Sequence, residues 1–383
     1  RDDVESRGLG DVYKRQMHNR VRETGGRLVR MVKRDEIGRG KALAIRAAAL
    51  LCAMAVGTLL IVALGHQPLA VYMEMLNGSL GSRTVLTETV KIALPLIFCG
   101  IAISIAFRMR FWNIGAEGQL LMGGIAATYV ALFHYQHLPR PALLLVMALA
   151  ALAAGALWGL IPAFFKARWG TNETLFTLMM NYIATQIVAY FCYKWSNPKG
   201  SGHIGVINSV SHNGWLPSLG GQDYLLNILI VAALTVFMYI YLKYSKHGYE
   251  LSVVGESENT ARYIGINVKK VIMRTMLLSG ALCGVTGLLL VSGTDHTIAT
   301  NTVGGRGFTA IMVSWLAKFN PAYMILTSLL IVFFQKGAIQ ISTSLGLNDS
   351  FADIITGIII FFIIGSEFFI NYSVKFRSKE AKA

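Results

Sequence analysis

Apolar residues in this chain fall in long, nearly unbroken blocks, not in a helical stripe or a strict alternation. The blocks lie at 43–65, 87–107, 114–133, 142–165, 174–193, 224–242, 271–292, 308–317, 321–341 and 352–372. A helix needs about 20 apolar residues to cross a bilayer, and every block except 308–317 is near that length. The short block predicts a half-length or re-entrant helix. Broken backbone of that kind survives at membrane depth only when buried in protein or lining a cavity. The pattern therefore predicts an all-α fold, a polytopic integral membrane protein with about ten membrane segments, one of them half-length.

Composition agrees. Of 383 residues, 54% are hydrophobic and 14% charged, where soluble domains are about a quarter charged. That apolar excess exceeds what one soluble core can hide, and it excludes a disordered chain. Four cysteines are too few for a disulfide scaffold.

Residues 1–16 carry four basic and four acidic side chains with no apolar period. They read as an extension foreign to the fold, with Met17 as the start. Residues 17–42 form a basic tail, 43–372 the membrane domain and 373–383 a second tail. The first apolar block is too long for a cleaved leader and reads as a retained span. With the N-terminus in the cytoplasm, twenty-eight of the 35 Lys/Arg fall on the inner side and five on the outer side; Lys91 and Lys336 lie within spans. This asymmetry places both termini in the cytoplasm. The net charge of +15 is mostly this topological signal, not a nucleic-acid footprint.

Several chemistries are missing. No G-x-x-x-x-G-K-[ST] loop occurs, since Gly40-Lys41 is followed by Ala42; phosphate-loop ATPase activity within this chain is excluded. Cys52, Cys99, Cys192 and Cys283 show no C-x-x-C spacing. No H-E-x-x-H or G-x-S-x-G is present, and His134 and His137 read as a solvated turn. The expectation is a non-enzyme with no catalytic residue, metal site or cofactor of its own.

Residues 243–270 are the longest inner connection. Ser257 suits a helix N-cap, Glu258 suits the positive end of its dipole, and Gly265 suits a left-handed cap. A helix of about two turns is predicted, with Ala261 and Ile264 packing on a partner and Arg262 presenting charge. It either rests on lipid headgroups or docks on another subunit and moves the attached spans.

Three glycine-flanked polar patches interrupt the apolar blocks. In the first, Asn113, Glu117 and Gln119 open a span among Gly115 and Gly118. Asn113 and Glu117 share a face, and a carboxylate near membrane depth must face protein or water. In the second, Thr171 or Asn172 caps a span, Glu173 sits in its first turn, and Asn181 lies deeper. Asn181 must bond another helix or a ligand, and helix–helix bonding is the commoner use. In the third, Gly304 and Gly307 match Gly115 and Gly118 at a constant offset of 189. One pair opens a segment from the inside and the other from the outside, the pattern of an inverted repeat.

Asn-Ile-Gly-Ala-Glu-Gly-Gln-Leu-Leu-Met-Gly (113–123), Asn-Glu-Thr-Leu-Phe-Thr-Leu-Met-Met-Asn-Tyr-Ile (172–183) and Ala-Arg-Tyr-Ile-Gly-Ile-Asn-Val-Lys-Lys (261–270) resemble permease subunits of bacterial ABC importers. The match is to the ribose/branched-chain-type group, and within it to the nucleoside-type (guanosine or purine nucleoside) branch. Residues 277–293 continue the likeness, which covers about 40–372. The chain departs from the family at Phe176 and at Trp315-Leu-Ala-Lys. The resemblance implies a second permease subunit, identical or different, and ABC ATPase subunits that bind ATP and Mg. It also implies an extracytoplasmic substrate-binding lipoprotein and a multi-pass location in the bacterial cytoplasmic membrane. By motif, 256–265 corresponds to the coupling segment, which gives Glu256, Ser257, Glu258, Asn259, Ala261, Arg262 and Gly265 as its residues. A nucleoside or simple sugar needs amide, hydroxyl and aromatic partners. Asn113, Glu117, Asn181, Phe308 and Trp315 are the candidates along the translocation path, with lipid-facing or interfacial packing as the other use of Phe308 and Trp315. Two rivals stay open: a stand-alone ion-coupled secondary transporter using Glu117 and Glu173, and a membrane scaffold or receptor.

Overall fold

The computed structural model describes residues 29–33, 37–222, 224–346 and 349–376. The foreign extension expected at 1–16, and the remainder of both tails, lie outside these residues. The described residues are helical almost throughout. In order it forms β1 (Val29–Lys33), α1 (Arg39–Ala63), α2 (Pro68–Leu80), α3 (Arg83–Arg108), α4 (Ala116–Phe133), α5 (Arg140–Trp169) and α6 (Glu173–Lys194). Then come α7 (Leu225–Tyr244), α8 (Lys246–Glu256), α9 (Glu258–Tyr263) and α10 (Val268–Leu288), which runs on into a π-helical turn, Leu289–Thr294. The last described elements are α11 (Arg306–Leu316), α12 (Pro321–Leu345), α13 (Asp349–Asn371) and β2 (Tyr372–Phe376).

Among the described residues, nine helices are long and apolar enough to span a membrane: α1, α3 to α7, α10 with its π turn, α12 and α13. The short apolar block becomes α11, whose 11 residues reach about 16 Å at 1.5 Å each. Helix α2 is absent from the sequence reading. Its 13 residues fall short of a span and include Glu74 and Asn77, so hydropathy passes over them. It is held by packing: a Cβ on Gly78 would overlap Gln340, and one on Gly337 would overlap Met75. Ser79 Oγ donates to Phe333 O at 2.6 Å.

The chain divides into two compact units. One comprises Arg1–Pro68 and Ile354–Ala383. There β1 and β2 pair antiparallel, from Val29 opposite Phe376 to Lys33 opposite Tyr372, and Arg46 forms an ion pair with Glu367. β1 falls in a stretch expected to be a tail, and β2 begins on the last residue of the expected membrane domain and runs into the other tail. Tyr-Ser-Val-Lys-Phe over 372–376 has the period-2 alternation of a strand, hidden in the sequence by its position at the end of a span.

The other unit, Leu69–Asp353, holds the remaining helices and the polar patches. Helix α3 is its hub, with residues 93–107 buried on every side. Helices α4, α5 and α10 approach through glycine. A Cβ on Gly123 would overlap Gly284, one on Gly155 would sit 2.7 Å from Gly284 Cα, and one on Gly159 would sit 2.8 Å from Met276 O. Lipid removes the hydrophobic drive between helices, so close backbone contact at small residues supplies the association. The apolar blocks thus become spans, and the glycines inside them become the seams.

Candidate functional site

The first polar patch sits inside the bundle because the chain doubles back after α3. Arg110 has φ +58, and the Phe111 N–H bonds Ala106 O at 3.1 Å. Asn113 donates to Ser279 Oγ (3.4 Å), which donates to Ala102 O (2.7 Å). Asn113 therefore lies level with Ala102 on α3, well above the end of that helix at Arg108. Helix α4 starts at that depth and is correspondingly short.

A helix that begins inside protein must find partners for its first N–H groups. Asn113 Oδ1 accepts from Gly115 N (3.1 Å) and from Gln119 Nε2 (3.3 Å). Asn181 on α6 accepts from Gly118 N and donates to Ile114 O, both at 2.9 Å. Thr177, one turn earlier, accepts from Ile114 N at 3.2 Å. Asn113 is fully buried and Asn181 is 5% exposed. The Asn181 amide is spent on the start of α4, and the Asn113 amide on that start and on Ser279 of α10. Glu117 faces the other short helix: its two oxygens accept from Gly305 N (2.9 Å) and Gly307 N (2.7 Å), at the N-terminus of α11. The two glycine motifs matched in the sequence therefore touch in space.

Phe308 and Trp315 stand apart from that network. They are 43% and 48% exposed and lie seven residues apart on one face of α11. Trp315 packs against Trp112 at 5.7 Å and Phe319 at 5.4 Å between ring centroids. Together with Phe107, Arg108, Arg110 and Lys318 these rings line a cleft of about 580 Å³.

The predicted helix at 258–263 is present. Ser257 Oγ accepts from Thr260 N at 3.2 Å, and Gly265 has φ +85. Glu256, Glu258, Asn259, Arg262 and Gly265 are exposed and Ser257 half-buried; Arg262 pairs with Glu258 at 3.1 Å. One expectation is corrected: Ala261 does not face a partner but is fully buried within its own chain, because Ile266 N folds back to its carbonyl at 2.9 Å. The outward residue is Tyr263, 92% exposed. Glu256 lies between two clefts, the aromatic one and another of about 220 Å³ beside Lys166 and Glu173.

Helix α8 forms the other arm of this elbow, within the connection at 243–270. Its Ser245 cap accepts from Gly248 N at 2.9 Å. His247 pins it to both neighbouring spans, pairing with Tyr241 OH at 3.0 Å and Thr275 Oγ1 at 3.1 Å. Burial pushes the His247 imidazole below its ordinary pKa, with Arg274 acting in the same sense and Glu250 opposing. Sequence reasoning also missed Thr177, Ser279 and Lys166, which pairs with Glu173 at 2.7 Å. Only Thr177 left a trace, four residues before Asn181 on the same helix face.

Residues 85–364 match the family model described as "Branched-chain amino acid transport system / permease component". The glucose ABC transporter permease protein TsgB13 of Haloferax volcanii is 32% identical, over 85% of this chain and 87% of its own length. The guanosine ABC transporter permease protein NupP of Bacillus subtilis is 31% identical, over 86% and 93%. The nucleoside ABC transporter permease protein NupB of Lactococcus lactis is 27% identical, over 80% and 86%. A multi-pass helical chain, matched over most of its length, belongs to the branched-chain amino acid transport system / permease component family and is an ABC transporter permease subunit.

Proposed function

We propose that this chain is one permease of an ATP-driven importer for nucleosides or related simple sugars. Its substrates are neutral, polar and partly flat, and the relatives with known names carry guanosine, nucleosides or glucose in those names. A second permease completes the pore; NupQ, a second guanosine permease protein from the same organism as NupP, is also similar, at 27%. ATP and Mg belong to separate ATPase subunits, and an extracytoplasmic lipoprotein delivers the solute. Both termini and the elbow at 243–270 face the cytoplasm of a bacterial cell, and the loop at 194–223 faces outward.

The observation that carries this reading is the seat of the elbow. Gly255 of α8 lies directly on the Arg108 carbonyl at the end of α3, while 256–265 turns a charged edge outward. Closure of the ATPase dimer pushes on that edge, and the push reaches α3 through backbone contact. Such a device biases an equilibrium between two packings of the spans. Phe308 and Trp315, exposed on α11, are the aromatic surfaces offered to the solute. Asn113, Glu117 and Asn181 shape the path from behind, through the hydrogen bonds they make.

The secondary-transporter reading fares worse because its carboxylates are occupied, Glu117 by two backbone amides and Glu173 by Lys166. The test is uptake in proteoliposomes. Accumulation that requires ATP and the ATPase subunits supports the importer. Uphill accumulation by this chain alone on an ion gradient overturns it.

A further inference from the structure

Helix α11 begins inside the bundle, where its unpaired N–H groups and partial positive charge need an answer. The answer comes from another helix. Glu117 spans Gly305 N and Gly307 N with one oxygen each, at 2.9 and 2.7 Å. The backbone is shaped around that carboxylate. A Cβ on Gly307 would sit 2.5 Å from Glu117 N and 2.8 Å from its Oε2, and Gly305 holds φ +74. The charge of Arg306 also acts on the carboxylate, but its guanidinium donates back to Thr302 O at 2.6 Å and leaves the direct hydrogen bonds to the two backbone N–H groups. Hydrogen bonds to an ionised acceptor are about twice as strong as neutral ones, and helix N-termini are ready sites for anions.

We propose that Glu117 is a resident anion: a positioning residue that fills the anion site of α11 and ties this half-length helix to α4, so that the two move as one body. Removal of the side chain then leaves a cavity with two converging N–H donors, which a free small carboxylate fills. Glutamine keeps the shape but sets an amide N–H against one of the two backbone donors.

The test uses the purified full chain in detergent micelles. Thermal unfolding is followed for wild type, Glu117→Gln and Glu117→Ala during a sodium formate titration, with sodium chloride holding the ionic strength constant and formamide as the neutral control. Both variants melt below wild type. The alanine variant regains most of its loss in formate, rising with the logarithm of formate concentration, and does not respond to formamide. Wild type responds to neither. A Glu117→Gln chain that melts with wild type, or an alanine variant indifferent to formate, overturns the proposal. Should the alanine variant not survive purification, amide hydrogen exchange at Gly305 and Gly307 decides: faster in Glu117→Gln supports the bridge, unchanged refutes it. None of these readouts involves solute or ATP, so their failure and that of the importer reading are separate results.

Discussion

Gly255 rests on the carbonyl of Arg108 so closely that any Cβ at 255 would overlap that oxygen. Arg108 in turn donates from its guanidinium to Phe319 O at 2.9 Å. Three elements thus meet at one point: the elbow helix α8, the last turn of the buried hub α3, and the turn that follows α11. Motion of the elbow is not cushioned at that point, because the Gly255 backbone meets the Arg108 carbonyl with no side chain of its own between them.

Gly255→Ala should therefore act on the seat itself. Overpacking against backbone typically costs about 1–3 kcal/mol, and here relief requires α8 to lift. We expect a lowered thermal midpoint and loss of ATP-dependent uptake. Gly357→Ala is the control, since nothing lies within 4 Å of a Cβ there and alanine is the better helix former by up to about 1 kcal/mol. Equal midpoints for the two variants would show that the seat is slack.

Arg262→Glu separates coupling from folding. The Arg262–Glu258 pair is exposed on both sides, 63% and 52%, and surface pairs of this kind contribute about 0–1 kcal/mol. The variant should melt close to wild type and assemble normally, yet lose uptake because its outer edge has reversed charge. Full uptake by an assembled Arg262→Glu complex would remove 256–265 from the docking surface.

His247 gives the elbow a pH dependence. Burial holds the folded imidazole neutral below the ordinary histidine range, while an unfolded histidine protonates near pH 6.5. Between those two values the unfolded state binds more protons, so stability falls as pH drops below about 6.5 and levels off beneath the folded pKa. Above the ordinary value the imidazole is neutral in both states and contributes no slope. His247→Gln, which can still bond Tyr241 and Thr275, should flatten the acid limb in a series of unfolding midpoints. An unchanged limb would place the titration elsewhere.

Much of this was readable without coordinates, and the limits have physical reasons. Spans announce themselves through hydropathy, and Ser257 and Gly265 announce a short helix because capping is local chemistry. The glycine match at offset 189 pointed to two motifs that the fold brings together. It could not say that Glu117 bridges to Gly305 and Gly307, because a carboxylate's partner in three dimensions leaves no spacing signature. Helix α2 escaped because a short helix held by glycine contacts carries no hydropathy signal. The burial of Ala261 is not legible in sequence because a two-turn helix has too few residues to define an apolar face. His247 leaves no signal either, since a lone histidine in a charged loop resembles any solvated one.

Asn181 decides between two uses that the sequence left open, a helix–helix bond or a ligand contact. Its oxygen takes Gly118 N and its amide gives to Ile114 O, so both ends are occupied by the turn that starts α4. Asn181→Ala leaves a buried N–H and a buried carbonyl without this partner, at about 1–3 kcal/mol for each such group. Asn181→Asp keeps the acceptor for Gly118 but sets a carboxylate oxygen against the Ile114 carbonyl, so it should be at least as damaging despite its matching shape. Thermal unfolding of the full chain should rank wild type above both variants, and the amide of Gly118 should exchange faster in Asn181→Ala than in Asn181→Asp. A solute ligand predicts another result: midpoints equal to wild type, normal exchange at Gly118, and a raised KM for uptake. That outcome would move Asn181 from the frame of the path to its lining.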